Sequence, residues 1–146
     1  MSDKSSVATE KFMGGYNCAQ AVAYAFHEET GISDDLALKL SCGFGGGIGR
    51  TQETCGAVTG GVLVLGLRHG RGVSEDQSAT ALTYQKTQEF MSLFSEKNGS
   101  LICRKLLDGC DLQTQAGQQE FANQDLKNKV CKVCVQSAVE ILEQIK

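Results

Sequence analysis

Val130-Cys131-Lys132-Val133-Cys134-Val135-Gln136-Ser137-Ala138-Val139-Glu140-Ile141-Leu142-Glu143-Gln144-Ile145 carries its apolar residues at helical spacing. Val130, Cys131, Cys134, Val135, Ala138, Ile141, Leu142 and Ile145 fall on one stripe, the signature of a helix with one buried face. The 3.6-residue period recurs along the chain, whose 146 residues include no proline to interrupt a helix. The pattern predicts an all-α fold. It reads as a single domain over residues 1–146, a helical bundle of about six helices with a glycine-rich loop at residues 43–50.

Upstream, polar residues stand where helices should start and glycines where they should stop. Ser2 or Asp3 caps a first helix that ends at Gly14-Gly15. Asn17 caps a second, with Cys18, Ala21, Val22, Ala25 and Phe26 near one face and Gly31 as terminator. Ser33 caps a short third helix whose Asp34 and Asp35 suit the positive end of the helix dipole. Five glycines within Gly43–Gly49 exclude a stable helix there. They permit a tight, irregular loop whose backbone can approach another group closely. A helix restarts near Thr54 or Cys55 and runs to about Arg68, with a buried strand over Val62–Leu67 as the competing assignment. Ser74 and Gln77 read as a capping box for a long helix that stops at Asn98-Gly99. Ser100 caps a short helix holding Cys103, closed by Gly109. The polar stretch Gln113–Asn128 reads as partly helical and exposed.

Composition narrows the function classes. A chain of this length can bury roughly two-thirds of its unfolded surface, so its fold does not depend on cross-links. Net charge is −3 with no Lys/Arg run, which argues against a nucleic-acid partner. The longest mostly apolar stretch, Ala57–Leu67, is 11 residues, well short of the ~20 that insert across a bilayer. The first residues show no apolar core of a secretory signal, so a cytoplasmic location is expected.

The chemistry is expected at the seven cysteines, Cys18, Cys42, Cys55, Cys103, Cys110, Cys131 and Cys134. In a reducing compartment patterned cysteines more often bind metal or perform redox chemistry than form structural disulfides. Cys131 and Cys134 form a C-x-x-C and share a helix face at i and i+3. No βαβ unit precedes them, as a thioredoxin-like site requires, and Val135 stands where a c-type haem motif has histidine. The same two residues also suit an apolar helix face, where free cysteine is commonly buried. Cys18 and Cys55 each fall at a helix N-terminus, which favours the thiolate and makes both candidates for a lowered pKa. The glycine loop fits neither dinucleotide nor P-loop spacing. It reads as a close helix connection, or as a wrapper around a site built by Cys55. His27 and His69 read as solvated surface residues, and no acid/base pair or catalytic triad stands out.

Three segments carry a resemblance. They are Tyr16-Asn17-Cys18-Ala19-Gln20-Ala21, Gly43-Phe44-Gly45-Gly46-Gly47-Ile48-Gly49 and Glu53-Thr54-Cys55-Gly56-Ala57-Val58-Thr59-Gly60. In their order they resemble the small redox-active proteins named for a C, CGAxxG, C, C cysteine pattern, over nearly the whole chain. The resemblance implies four key cysteines, Cys18, Cys55, Cys103 and Cys131, with Cys134 or Cys42 as substitutes. Gly45, Gly46, Gly47, Gly49 and Gly56 would surround the site.

Four thiolates from dispersed segments would satisfy an iron–sulfur cluster or a structural zinc ion. Structural zinc prefers two close C-x-x-C pairs, and only one is present, so an electron carrier or sensor with a cysteine-ligated iron–sulfur cluster is the leading expectation. Its redox partner protein is not identified by the sequence, nor is catalytic turnover. The alternatives are a thiol–disulfide protein using the same cysteines in pairs, and a helical assembly module without redox chemistry, forming a homodimer through its glycine-bearing helix.

Overall fold

The computed structural model describes residues 2–146. Seven helices of eight or more residues make the frame: α1 (Asp3–Met13), α2 (Cys18–Ala25), α3 (Asp34–Ser41), α4 (Gly56–His69), α5 (Gln77–Asn98), α6 (Gln115–Asn123) and α7 (Lys132–Gln144). One-turn helical pieces at His27–Thr30, Gly45–Ile48 and Cys103–Leu106, a 3-10 turn at Cys42–Phe44 and a π turn at Lys127–Cys131 join them. The all-α class holds, and the count exceeds the six expected because short turns around the glycine loop and before α7 cannot be read from periodicity. Val62–Leu67 is helix, part of α4. Among the described residues no strand forms, only an isolated antiparallel bridge between Thr54 and Ile102. Among the described residues no helix is long and apolar enough to cross a membrane.

Several ends follow their caps. The Ser2 hydroxyl accepts from the Ser5 N–H, the Ser33 hydroxyl from the Leu36 N–H, and Gly99 closes α5 in the left-handed conformation at φ 94°. Two caps differ from expectation. Asp76, not Ser74, caps α5, accepting from the Ser78 N–H; an acid two residues nearer the helix takes the role. Ser100 binds the Ile102 N–H instead of capping the Cys103 turn. The histidines are half-buried, not solvated. His27 Nδ1 lies 2.6 Å from the Tyr24 carbonyl oxygen, and the Nε2 of His69 is buried without a hydrogen-bond partner among the described residues.

The core lies between α1, α2, α4, α5 and α7. Phe12, Val22, Phe26, Leu65, Phe90, Phe94, Val135, Val139 and Leu142 are all buried in it. α2 and α4 pack closely because α4 has bare backbone on the facing side. A Cβ on Gly60 would lie 2.8 Å from the Ala19 carbonyl oxygen, and one on Gly56 would lie 3.1 Å from the Ala19 nitrogen. This approach brings the N-terminal ends of α2 and α4, and so Cys18 and Cys55, to the same end of the bundle. α7 packs against both helices and supplies Cys134 from its first turn.

Candidate functional site

Gln52–Cys55 and Leu101–Arg104 run side by side. The Cys55 N–H donates to the Leu101 carbonyl (2.8 Å), the Cys103 N–H to that of Glu53 (2.7 Å) and the Arg104 N–H to that of Gln52 (3.2 Å). This clamp sets Cys55 and Cys103 next to each other although they are far apart in sequence. Gln52 locks its other side. Its buried amide donates to the Cys110 carbonyl (2.6 Å) and accepts from the Leu112 N–H (2.8 Å).

The glycine loop is ordered as a left-handed turn. Gly46, Gly47, Ile48, Gly49 and Arg50 have φ values of 66°, 71°, 67°, 61° and 65°. Glycine adopts this conformation without steric cost, whereas Ile48 and Arg50 each carry about 1–2 kcal/mol of strain. The turn lets Gly47 sit against the clamp. A Cβ there would be 2.6 Å from Gln52 Cα, 2.7 Å from the Glu53 nitrogen and 2.8 Å from Cys103 Cβ.

These elements enclose a cavity of about 560 Å³. Cys18, Cys55, Cys103, Cys131 and Cys134 all line it, with Gly45, Gly46, Gly47, Gly49 and Gly56 in its wall. All four cysteines named in the resemblance therefore meet there, and Cys134 joins them. Cys42 does not line the cavity and is exposed. Cys110 is buried outside it, its thiol donating to the Gly117 carbonyl at 3.1 Å. The seven thiols are free.

The cavity thiols influence one another's protonation most strongly in two pairs. Cys18 at the start of α2 interacts with Cys131 in the π turn, and Cys55 at the start of α4 interacts with Cys134 in α7. Cys103 lies within electrostatic reach of Cys55 and Cys131. Among the described residues, no three Cys, His, Asp or Glu side chains are grouped closely enough to hold a metal ion.

The pairs differ in protonation. The neighbouring Cys134 thiol, followed by the Ala57 and Val58 N–H groups at the start of α4, holds Cys55 below the ordinary thiol range against the opposing effect of burial. Cys134 is pushed up, first by its interaction with Cys55 and then by burial, so within this pair it keeps the proton. Cys18 is also pushed up, by Cys131, by burial and by Cys55. That overturns its expected low pKa: the Cys131 thiol and burial outweigh the helix N-terminus, where the Asn17 side chain also takes the Gln20 N–H. Burial pushes Cys103 up to about 12.

Residues 16–145 match the family model described as "Putative redox-active protein (C_GCAxxG_C_C)". The chain belongs to this family. The family's name writes Gly-Cys before Ala-x-x-Gly, and this chain has Cys55-Gly56 before Ala57-Val58-Thr59-Gly60. No curated protein and no solved structure matches the chain. Sequence reasoning ranked Cys134 below Cys131 and missed Gln52, Arg50 and Lys127. The i, i+3 spacing of the C-x-x-C carried the signal for Cys134. Nothing local marks Gln52, whose partners come from the segment after Cys103.

Proposed function

We propose that this redox-active chain works by thiol–disulfide exchange, with Cys55 as attacking thiolate and Cys134 as resolving thiol. The observation that carries this reading is that Cys55 and Cys134 line the same cavity, close enough for each to shift the other's protonation. Cys55 S⁻ attacks one sulfur of a substrate disulfide. A Cys55–substrate disulfide forms, and the other substrate sulfur leaves as a thiolate and takes a proton. Cys134 then loses its proton and attacks the Cys55 sulfur. The Cys55–Cys134 disulfide forms as the second substrate thiolate leaves. Two electrons have passed to the substrate, and the same steps in reverse make this chain an oxidant. Cys18 and Cys131 supply a second dithiol on the same cavity.

The test is to equilibrate the protein across a series of glutathione redox buffers, alkylate it and count modified thiols by mass spectrometry. The reading expects Cys55 and Cys134 to disappear together and return with reductant. Seven alkylated thiols at every poise would overturn it.

The meeting of five thiols on a glycine-walled cavity favours a second reading. Cys18, Cys55, Cys103 and Cys131 would hold an iron–sulfur cluster, which would supply one-electron transfer. The donor chemistry fits, and the cavity of about 560 Å³ leaves room beside the thiols. Anaerobic purification with iron and sulfide analysis separates the readings. Stoichiometric iron and sulfide favour the cluster, and a colourless, iron-free protein with an exchanging pair favours the dithiol.

A further inference from the structure

The same cavity has a charge character that the thiols do not require. Arg50 and Lys127 line it, and among the described residues no Asp or Glu does. Neither cation has an ion-pair partner among the described residues. The chain as a whole carries a net charge of −3, so this wall is opposite in sign to the protein around it.

Both cations are held by unusual backbone. Arg50 ends the left-handed turn, and its Cβ and Cγ lie 3.2 and 3.3 Å from where a Gly46 Cβ would stand. Lys127 opens the π turn that leads to Cys131. Its ammonium lies 5.4 Å from the centroid of Phe12, another cavity residue, a cation–π contact that keeps it at the wall. The neutral polar groups are already engaged. The Asn17 side chain binds the Gln20 N–H and the Cys42 carbonyl, and the Gln118 amide donates to the Leu112 carbonyl. Leu106, Leu107, Leu112, Phe121 and Val130 supply apolar surface. A ligand suited to these walls has an apolar body, anionic ends and a sulfur that can meet Cys55.

We propose that the cavity selects a low-molecular-weight disulfide bearing carboxylate groups, with Arg50 and Lys127 receiving the carboxylates. This rests on the exchange reading above. The bonds made and broken are those of that exchange, with the carboxylates taking no part in electron transfer.

The test uses the full reduced chain and three small disulfides: dithiodipropionate (two carboxylates), hydroxyethyl disulfide (neutral) and cystamine (two ammonium groups). Each rate is divided by that of the same disulfide with a free small thiol, which removes intrinsic reactivity. The dianion should react about tenfold faster than the dication at low ionic strength, with the ratio shrinking as salt screens the charges. Arg50→Gln with Lys127→Gln should collapse that ratio toward one, while Arg50→Lys retains most of it and serves where the double variant does not fold. Equal normalised rates for the three probes, or an unchanged ratio in the folded double variant, would overturn the proposal while leaving exchange intact. Failure of all three probes to react would overturn both.

Discussion

Cys18 opens α2 and Cys55 opens α4, on the wall of one cavity, and the two helix ends treat their thiols in opposite ways. At α2 the Asn17–Gln20 capping box takes the Gln20 N–H, and Cys18 is pushed up first by the Cys131 thiol. At α4 no oxygen-bearing side chain caps the helix. There the Cys134 thiol, with the Ala57 and Val58 N–H groups nearby, holds Cys55 below the ordinary thiol range. A helix N-terminus therefore does not by itself lower a thiol: the neighbouring thiol, Cys131 at Cys18 and Cys134 at Cys55, acts first. Position at a helix start is half of the condition, and the thiol set beside it is the other half.

The sharpest way to break this contrast is to remove each thiol in turn. Cys55→Ser should reduce exchange with hydroxyethyl disulfide to the uncatalysed background, because the attacking thiolate is gone. Cys18→Ser should retain exchange, and equal losses in the two variants would mean that the helix ends do not differ in role. The next largest effect is expected at the loop that backs the clamp. Gly47→Ala places a Cβ 2.6 Å from Gln52 Cα at a φ of 71°. It should cost about 3 kcal/mol in denaturant unfolding, while Gly49→Ala, with nothing within 4 Å of its Cβ, should cost about 1 kcal/mol from the left-handed backbone alone.

A smaller change tests the cap directly. Asn17→Ala should cost about 1 kcal/mol of stability. By freeing donors at α2 it should also move the alkylation midpoint of Cys18 downward, toward that of Cys55. An unmoved midpoint would show that Cys131 and burial alone set the Cys18 proton affinity.

The effect confined to the narrowest conditions is in stability at alkaline pH. The folded state raises Cys103 from an ordinary 9.0 to about 12, so the unfolded chain releases this proton first. The resulting stabilisation is complete below pH 9 and is lost as pH rises toward 12. Cys103→Ala should flatten that part of the stability curve relative to the parent chain, and parallel curves would count against a buried, protonated Cys103.

Much of the frame was legible because its signals are local. Ser2, Asn17, Ser33 and Gly99 act within a turn of themselves, and the apolar stripe of α7 needs no partner to be seen. The convergence of Cys18, Cys55, Cys103 and Cys131 was reachable only through family resemblance. Its physical cause, the pairing of Gln52–Cys55 with Leu101–Arg104, consists of backbone hydrogen bonds between distant segments, which leave no trace in side-chain pattern. The high proton affinity of Cys18 was hidden for the same reason, since Cys131 reaches it from the other end of the chain. The π turn that carries Lys127 and Cys131 differs from an α-helix by one residue of hydrogen-bond register, which a 3.6-residue period cannot resolve.

The central claim is that Cys55 attacks and Cys134 resolves. The direct measurement is to treat reduced Cys134→Ser with hydroxyethyl disulfide and map the adduct by peptide mass spectrometry. The account predicts a stable mixed disulfide on Cys55. An adduct on Cys18 or Cys131 with Cys55 unmodified would contradict it.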